Sequence, residues 1–489
     1  MTRIPYICNM EYTIPIAIYI LFVIGVCLHI IKNVDTPSKA MAYLGLSIVL
    51  PIIGAIIYFS FGFNYRKNKL YQKKINFNAD SALEFSKATK EFGFPILEEF
   101  SVALDYYRPL ANYLNSQCLT TIHNDNKLLI NGENKFPAVI EELKKAKHHI
   151  HIEYYIIEDD TIANQLADIL IEKAREGVEV RLMYDDFGSN KIRRGYSNRL
   201  IENGVKVFPF FKIHHILLAN RVNYRNHRKI IVIDGNVGFV GGINISDRYI
   251  NTPTPQLYWR DTHVMIKGRC VSNLQFIFMT DWNFCSQENL SFSKNYFPSQ
   301  FISTPTSDKI IQVVASGPDS DHPNILYALV QAIILSRKEV LITTPYFVPD
   351  DALFDAILIA QASGVKVKLL VPGISDSTIV NRVSSSFYYD LLKAGVKVYR
   401  YTKGFVHAKT MVCDDHVSFI GTANLDHRSF DLNFEVNAIF YDKELARELK
   451  NNFLIDISNS EKLNLQKWEQ RSIFIKFSER FFRLISPLV

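Results

Sequence analysis

Two stretches of this chain, 180 residues apart, repeat one polar pattern, and such a repeat constrains the chain to a molecule built from two like halves. His227-Arg228-Lys229 is followed by four residues and Asp234, and His407-Ala408-Lys409 by four residues and Asp414. Each copy then runs through an apolar stretch into a small-residue turn closed by asparagine, Gly241-Gly242-Ile243-Asn244 and Gly421-Thr422-Ala423-Asn424. In both, the asparagine lies ten residues after the aspartate. The duplication reaches beyond these motifs, since Gly-Val-x-Val recurs at 177–180 and 364–367, and Gly-Val again at 204 and 395.

From about Asn115 onward, strand and helix signals alternate as in an α/β domain. His149 to Tyr154 alternates as a strand, Ile162 to Arg175 has helical spacing ended by Gly177, and Val178 to Leu182 is the next strand. The second half repeats this plan with a strand over Glu339 to Thr343, a helix over Leu353 to Ala362 and a strand over Val365 to Leu370. Segments 251–256 and 296–309, rich in Pro, Thr and Ser, read as loops, and the second divides a first lobe (115–300) from a second (301–489).

The N-terminus is of another kind. Tyr12 to Ile31 and Ala40 to Tyr65 are uncharged runs, each long enough to cross about 30 Å of hydrocarbon as a helix. A short polar connector, 32–39, joins them, so residues 1–66 are expected to form a two-helix transmembrane hairpin with spans at about 12–31 and 40–63. Residues 67–114 then form a linker. Arg66, Lys67, Lys69, Lys73 and Lys74 follow the second run, against Lys32 and Lys39 in the connector, which by the positive-inside bias puts the lobes in the cytoplasm. A cleaved signal peptide fits less well, because no A-x-A site follows and a second span comes at once.

Composition narrows the chemistry. A net charge of +6 over 489 residues is compatible with anionic lipid or nucleic acid, but the basic residues are dispersed and form no stripe of the kind nucleic acid selects. The six cysteines are scattered without a C-x-x-C pair and read as reduced thiols. There is no phosphate-binding G-x-x-x-x-G-K loop, no dinucleotide fingerprint and no H-E-x-x-H, so neither cofactor nor catalytic metal is expected. His148-His149 and His214-His215 look like metal ligands, yet no Cys or carboxylate stands at ligand spacing, and both pairs read as loop or strand-edge residues.

Ile230 to Ile233 and Thr410 to Cys413 read as buried strands. Residues two apart on a strand share a face, so His227 with Lys229, and His407 with Lys409, are expected to point into one cleft. Asp234 and Asp414 fall on the other parity and are expected to brace turns. Two imidazoles and two ammonium groups can exchange phosphodiesters without metal: one histidine attacks phosphorus, the other protonates the departing alkoxide, and the lysines with Asn244 and Asn424 steady the phosphate oxygens. An imidazole so used needs a carboxylate on its far nitrogen. Asp261, in Tyr258-Trp259-Arg260-Asp261, and Glu435, in Asn433-Phe434-Glu435-Val436, follow the two motifs at similar distances.

With these residues in view, the chain resembles the phospholipase D superfamily and, within it, the bacterial cardiolipin synthases. The superfamily likeness rests on His227, Lys229, Asp234, Asn244 and their counterparts His407, Lys409, Asp414, Asn424. The narrower likeness rests on Pro37-Ser38-Lys39-Ala40, Phe61-Gly62-Phe63-Asn64-Tyr65-Arg66, Arg225-Asn226-His227, Asp281-Trp282, Pro345-Tyr346-Phe347-Val348-Pro349-Asp350 and Asn424-Leu425-Asp426-His427-Arg428-Ser429. The resemblance implies two lobes, each a mixed β-sheet flanked by helices, with the active site between them. It further implies metal-free phosphatidyl transfer between phosphatidylglycerol molecules, giving cardiolipin and glycerol, with His227 as nucleophile and His407 as general acid. Partners are then phosphatidylglycerol, other anionic phospholipids and the bacterial inner membrane, and not nucleic acid. Three alternatives stay open: a membrane-anchored phospholipase D releasing phosphatidic acid, a nuclease, and a non-catalytic scaffold. Trp468 to Val489 mixes aromatic and basic residues and is read either as a helix touching the bilayer or as one docked on the protein.

Overall fold

The computed structural model describes residues 6–34, 37–59, 74, 77, 79–87, 106–210, 224–252, 257–286, 288–298 and 309–484. Outside these lie His214-His215, the basic residues Arg66, Lys67, Lys69 and Lys73, the motif Phe61 to Arg66 and the expected lobe boundary at 300.

Among the described residues, fifteen of nineteen strands make one continuous mixed sheet, and the other four form two separate pairs. The first half supplies β1 (Thr121–Ile130), β2 (His149–Tyr154), β3 (Glu179–Asp185), β4 (Lys206–Phe210), β5 (Lys229–Ile233), β6 (Val237–Gly241), β7 (Tyr258–Arg260) and β8 (Thr262–Gly268). The second supplies β9 (Lys309–Ser316), β10 (Glu339–Thr343), β11 (Phe347–Val348), β12 (Lys366–Pro372), β13 (Lys397–Tyr401), β14 (Gly404–Val406), β15 (Thr410–Cys413), β16 (Val417–Gly421), β17 (Leu425–Asp426), β18 (Glu435–Tyr441) and β19 (Ser460–Lys462). From the centre outward the first half runs β1-β8-β6-β5-β2-β3-β4 and the second β9-β18-β16-β15-β10-β12-β13-β19. The halves meet where β1 pairs antiparallel with β9. Each half therefore places its motif strand, β5 or β15, at the same remove from the seam.

The parallel units β2–β3 and β10–β12 are connected by the helices Thr161–Arg175 and Asp351–Ala362. Asp160 and Asp350 cap these helices through their side chains. Gly177 and Gly364 end them at φ +92° in both cases, a conformation that only glycine adopts without strain. The helix Arg108–Asn115, expected in the linker, belongs to the second half's core: Tyr107, Leu110 and Leu114 pack there with Ile325, Leu329 and Ile333.

Near the N-terminus, residues Thr13–Asn33 form a helix of mean hydropathy 2.7, whose 21 residues rise about 31 Å. The second apolar run departs from expectation. In place of one span over 40–63, it forms a helix Pro37–Val49 and a short helix Pro51–Ile57, broken at Leu50 by the proline that follows. The short helix turns back on the first, since a methyl group at Gly54 would come within 2.5 Å of Ser47 Cα. In an unbroken helix those residues would stand about 10 Å apart. Tyr58 closes the turn by bonding His29 on the long helix, 2.8 Å away. Lys74, one of the basic residues that set the expected orientation, is buried in an ion network with Asp281 and Asp319.

Candidate active site

The motif histidines sit just ahead of β5 and β15, where each chain segment leaves its own sheet and is tied to the opposite half. β14 pairs in parallel with β7, and His407 N donates to Arg260 O at 2.7 Å. Reciprocally, Asn226 bridges Phe434, and His227 N donates to Phe434 O at 3.0 Å. These ties cross the carboxylates over. His227 Nδ1 lies 2.9 Å from both oxygens of Glu435, and His407 Nδ1 lies 2.7 Å from Asp261 Oδ2. Sequence spacing associated each carboxylate with the motif it follows; the fold gives it to the other histidine. With the carboxylate accepting, Nδ1 carries the hydrogen and Nε2 is the nitrogen left for chemistry.

Both histidines line one cavity of about 370 Å³, together with Asn244 and Asn424. Lys229 and Lys409, expected to point into the same cleft, are buried and are not among its lining residues; each Nζ donates to the carbonyl of its own histidine, at 2.7 and 2.5 Å. Asn244 is held by Ile156 N and Tyr249 Oη at 3.2 and 2.7 Å, while Asn424 Oδ1 is buried with no hydrogen-bond partner among the described residues. Tyr155 packs edge-on to His227 at 4.8 Å and Trp259 to His407 at 5.4 Å. Asp234 and Asp414 lie away from the cavity. Each accepts three backbone N–H groups at the start of the neighbouring strand, 147–149 for Asp234 and 337–339 for Asp414.

The two turns differ for a reason. A side chain at Gly242 would meet Asp261 Oδ1 at 2.2 Å, so that position has no room for a Cβ. At the matching position Thr422 fits, and its hydroxyl donates to Glu435 Oε2.

Burial and mutual repulsion set the proton affinities. Burial, then Lys229 and Lys409, hold His227 well below the usual imidazole range; burial and Lys409 hold His407 at about 4 against the pull of Asp261. Lys229 is lowered to about 7 and Lys409 to about 8, chiefly by burial, and burial raises Glu435 to about 7. An anion in this cavity would favour the protonated form of the two histidines that line it.

Sequence reasoning passed over Arg248, Tyr249 and Asp376 and gave no role to Arg225, Arg428 and Asn433, which it quoted only within motifs; all six line the cavity. A signal for a shared role existed for two of them, because Arg248 and Arg428 each stand four residues after the turn asparagine. Among the described residues, no group of three or more His, Cys, Asp or Glu side chains is placed to hold a metal ion. His148 and His149 bond each other at 2.8 Å at the start of β2.

A family model described as cardiolipin synthase, PLD-like domain, matches residues 139–282 and 329–457. Cardiolipin synthase 2 of Bacillus anthracis is 38% identical over 468 residues, which cover 96% of this chain and 90% of that one. Cardiolipin synthase of Geobacillus kaustophilus (strain HTA426) is 39% identical over 469 residues, covering 96% and 92%. The crystal structure of phosphatidylserine synthase from Haemophilus influenzae Rd KW20 superposes with a TM-score of 0.58 at 14% identity, over 78% of this chain and 99% of that one, a likeness of fold.

Proposed function

The chain belongs to the cardiolipin synthases of the phospholipase D superfamily, and from that premise we propose that its cavity transfers phosphatidyl groups between phosphatidylglycerol molecules through a phosphohistidine. The enzyme is a phosphatidyltransferase. The observation that carries the mechanism is the pair of histidines on one cavity, each with Nδ1 held by a carboxylate from the opposite half.

In the first step His227 Nε2 forms a bond to phosphorus as the bond to the headgroup oxygen breaks, and His407 gives its proton to the departing glycerol. Lys229, Lys409, Asn244 and Asn424 steady the charge on the phosphate oxygens, the work a metal ion does in other enzymes. In the second step a glycerol hydroxyl of another phosphatidylglycerol gives its proton to His407 and attacks phosphorus. The P–N bond breaks, cardiolipin leaves and His227 is restored. Glu435 and Asp261 position the two rings; Asp234 and Asp414 hold the strands that carry them.

The helix Thr13–Asn33 anchors the enzyme in the bacterial inner membrane, the helix pair 37–57 folds beside it, and the lobes, divided near 300, lie on the cytoplasmic face. Purified enzyme in mixed micelles with labelled phosphatidylglycerol and EDTA should yield a four-chain lipid and free glycerol. Phosphatidic acid as the dominant product would instead mark a hydrolase. Order of roles is tested separately: with a donor carrying an activated leaving group, His407→Ala should trap labelled phosphate on His227, whereas label on His407 of a His227→Ala chain reverses the assignment.

A further inference from the structure

The helix Ile473–Leu484 carries a surface that the catalytic reading does not use. At 3.6 residues per turn, Ile473, Phe474, Phe477, Phe481 and Leu484 fall within an arc of about 100°. All five are exposed, Phe474 to 82% and Phe477 to 72%. The helix has not simply failed to bury its apolar side, because its opposite face is pinned to the second lobe. Glu479 is buried and takes Arg471 at 2.6 and 2.9 Å, Phe482 packs on the core, and Arg483 pairs with Asp390 at 2.7 Å. The aromatic stripe is therefore held outward by specific contacts.

We propose that this stripe is a second membrane-contact site, which seats on an anionic bilayer and holds the mouth of the catalytic cavity against the lipid surface. Charge favours lipid over another protein. Lys476 and Arg480 flank the stripe, and the helix's single acid, Glu479, is turned inward and neutralised. Anionic headgroups complement that rim, whereas the same face of a second copy would bring like charges together. Position favours it too. The helix packs along Thr378–Lys393, whose first turn, with Ser377 and Val380, lines the cavity. Beside that turn Ile374 and Ile379 are also exposed, at 47% and 49%. A lipid whose phosphate must reach His227 without leaving the bilayer needs such a rim.

The test uses the full chain in vesicles of phosphatidylglycerol and phosphatidylcholine. A tryptophan placed by Phe477→Trp should gain emission over the parent chain, and that added emission should be quenched when the phosphatidylcholine is brominated on its acyl chains. Added emission that brominated lipid leaves unchanged overturns the proposal, whether position 477 stays in water or is covered by a second copy. In a second measurement, Phe474→Ser/Phe477→Ser/Phe481→Ser should lower turnover of bilayer phosphatidylglycerol by about tenfold while leaving turnover of monodisperse short-chain phosphatidylglycerol unchanged. Equal falls on both substrates, or on neither, overturn it. The turnover measurement rests on the synthase reading and the quenching does not, so a wild-type chain that fails to make cardiolipin counts against that reading alone.

Discussion

A histidine whose Nδ1 is held by a carboxylate has only Nε2 to offer phosphorus, and at Glu435 and Asp261 that constraint can be tested one atom at a time. Glu435→Gln keeps the volume but replaces an acceptor with an amide that can present either end, so His227 loses its fixed tautomer. Turnover should fall by between about 10² and 10⁴. Stability should move the other way. Burial raises the carboxyl of Glu435 from 4.5 to about 7, so wild-type folding stability is lost as pH rises from about 4.5 through 7. At pH 8 the glutamine variant should be more stable by about 1–3 kcal/mol, with the gain gone at pH 4, as urea unfolding at the two pH values would read. A variant that is both inactive and equally destabilised at both pH values contradicts this account. The lysines set a second pH signature. Lys229 and Lys409, lowered to about 7 and 8, lose their charge as pH rises through that range, so kcat/KM of the free enzyme should decline there. Lys409→Arg keeps its charge and should remove the part of the decline near 8 while leaving the part near 7 that belongs to Lys229, even if the maximum drops.

At the scale of elements, what local pattern could specify was legible and what distant pairing specifies was not. The strands Glu339–Thr343 and Thr410–Cys413 and the helices Thr161–Arg175 and Asp351–Ala362 stand where the pattern put them, because the strands are short apolar runs buried on both faces and each helix buries one side between its own cap and glycine stop. Parity along β5 and β15 put His and Lys of each motif into one cleft, whereas in the structure the histidines line the cavity and each lysine turns its Nζ to the carbonyl of its histidine. The exchange of carboxylates was invisible, since it depends on β14 meeting β7 and on Asn226 meeting Phe434, contacts between residues more than 140 positions apart. Length and hydropathy also passed over the break at Leu50, where a single proline turns one apolar run into two short helices. The paired turns before Asn244 and Asn424 give a prediction at this scale. Gly242→Ala drives a methyl group into Asp261 and should cost about 1–3 kcal/mol while displacing the partner of His407. Thr422→Val fills the same space but removes the hydroxyl that donates to Glu435, and should lower kcat with little effect on KM. An alanine at 242 with wild-type turnover would mean that Asp261 is not where the turn places it.

For the molecule as a whole, the question is how an N-terminus with a helix long and apolar enough to cross a membrane is joined to two halves whose candidate site exists only while they stay in register. Lys74 occupies that junction. Its ammonium is buried and reaches Asp281 at 2.9 Å in the first half and Asp319 at 2.7 Å in the second. Asp281 also pairs with Arg228, the residue between His227 and Lys229, and Arg228 Nε donates to Glu435 O. One chain of contacts thus runs from the segment after the apolar N-terminal helices, across the seam, to the backbone of both residues in the His227–Glu435 pair. Ionic contacts this deep are a poor source of net stability when intact, because desolvation opposes them, but removing one partner strands the others. Lys74→Met should therefore lower the stability of the lobes by about 3–5 kcal/mol, seen as an earlier cooperative loss of tryptophan fluorescence on heating in detergent. Adding Asp319→Asn to Lys74→Met removes a stranded charge and should recover part of that loss, whereas two independent effects would simply add. Because Arg228 keeps Asp281 compensated in the single variant, its turnover below the unfolding transition should fall less than in an Arg228→Met chain, which uncouples Asp281 from Glu435 directly. Equal losses in the two variants would place Lys74 in the site itself and not behind it.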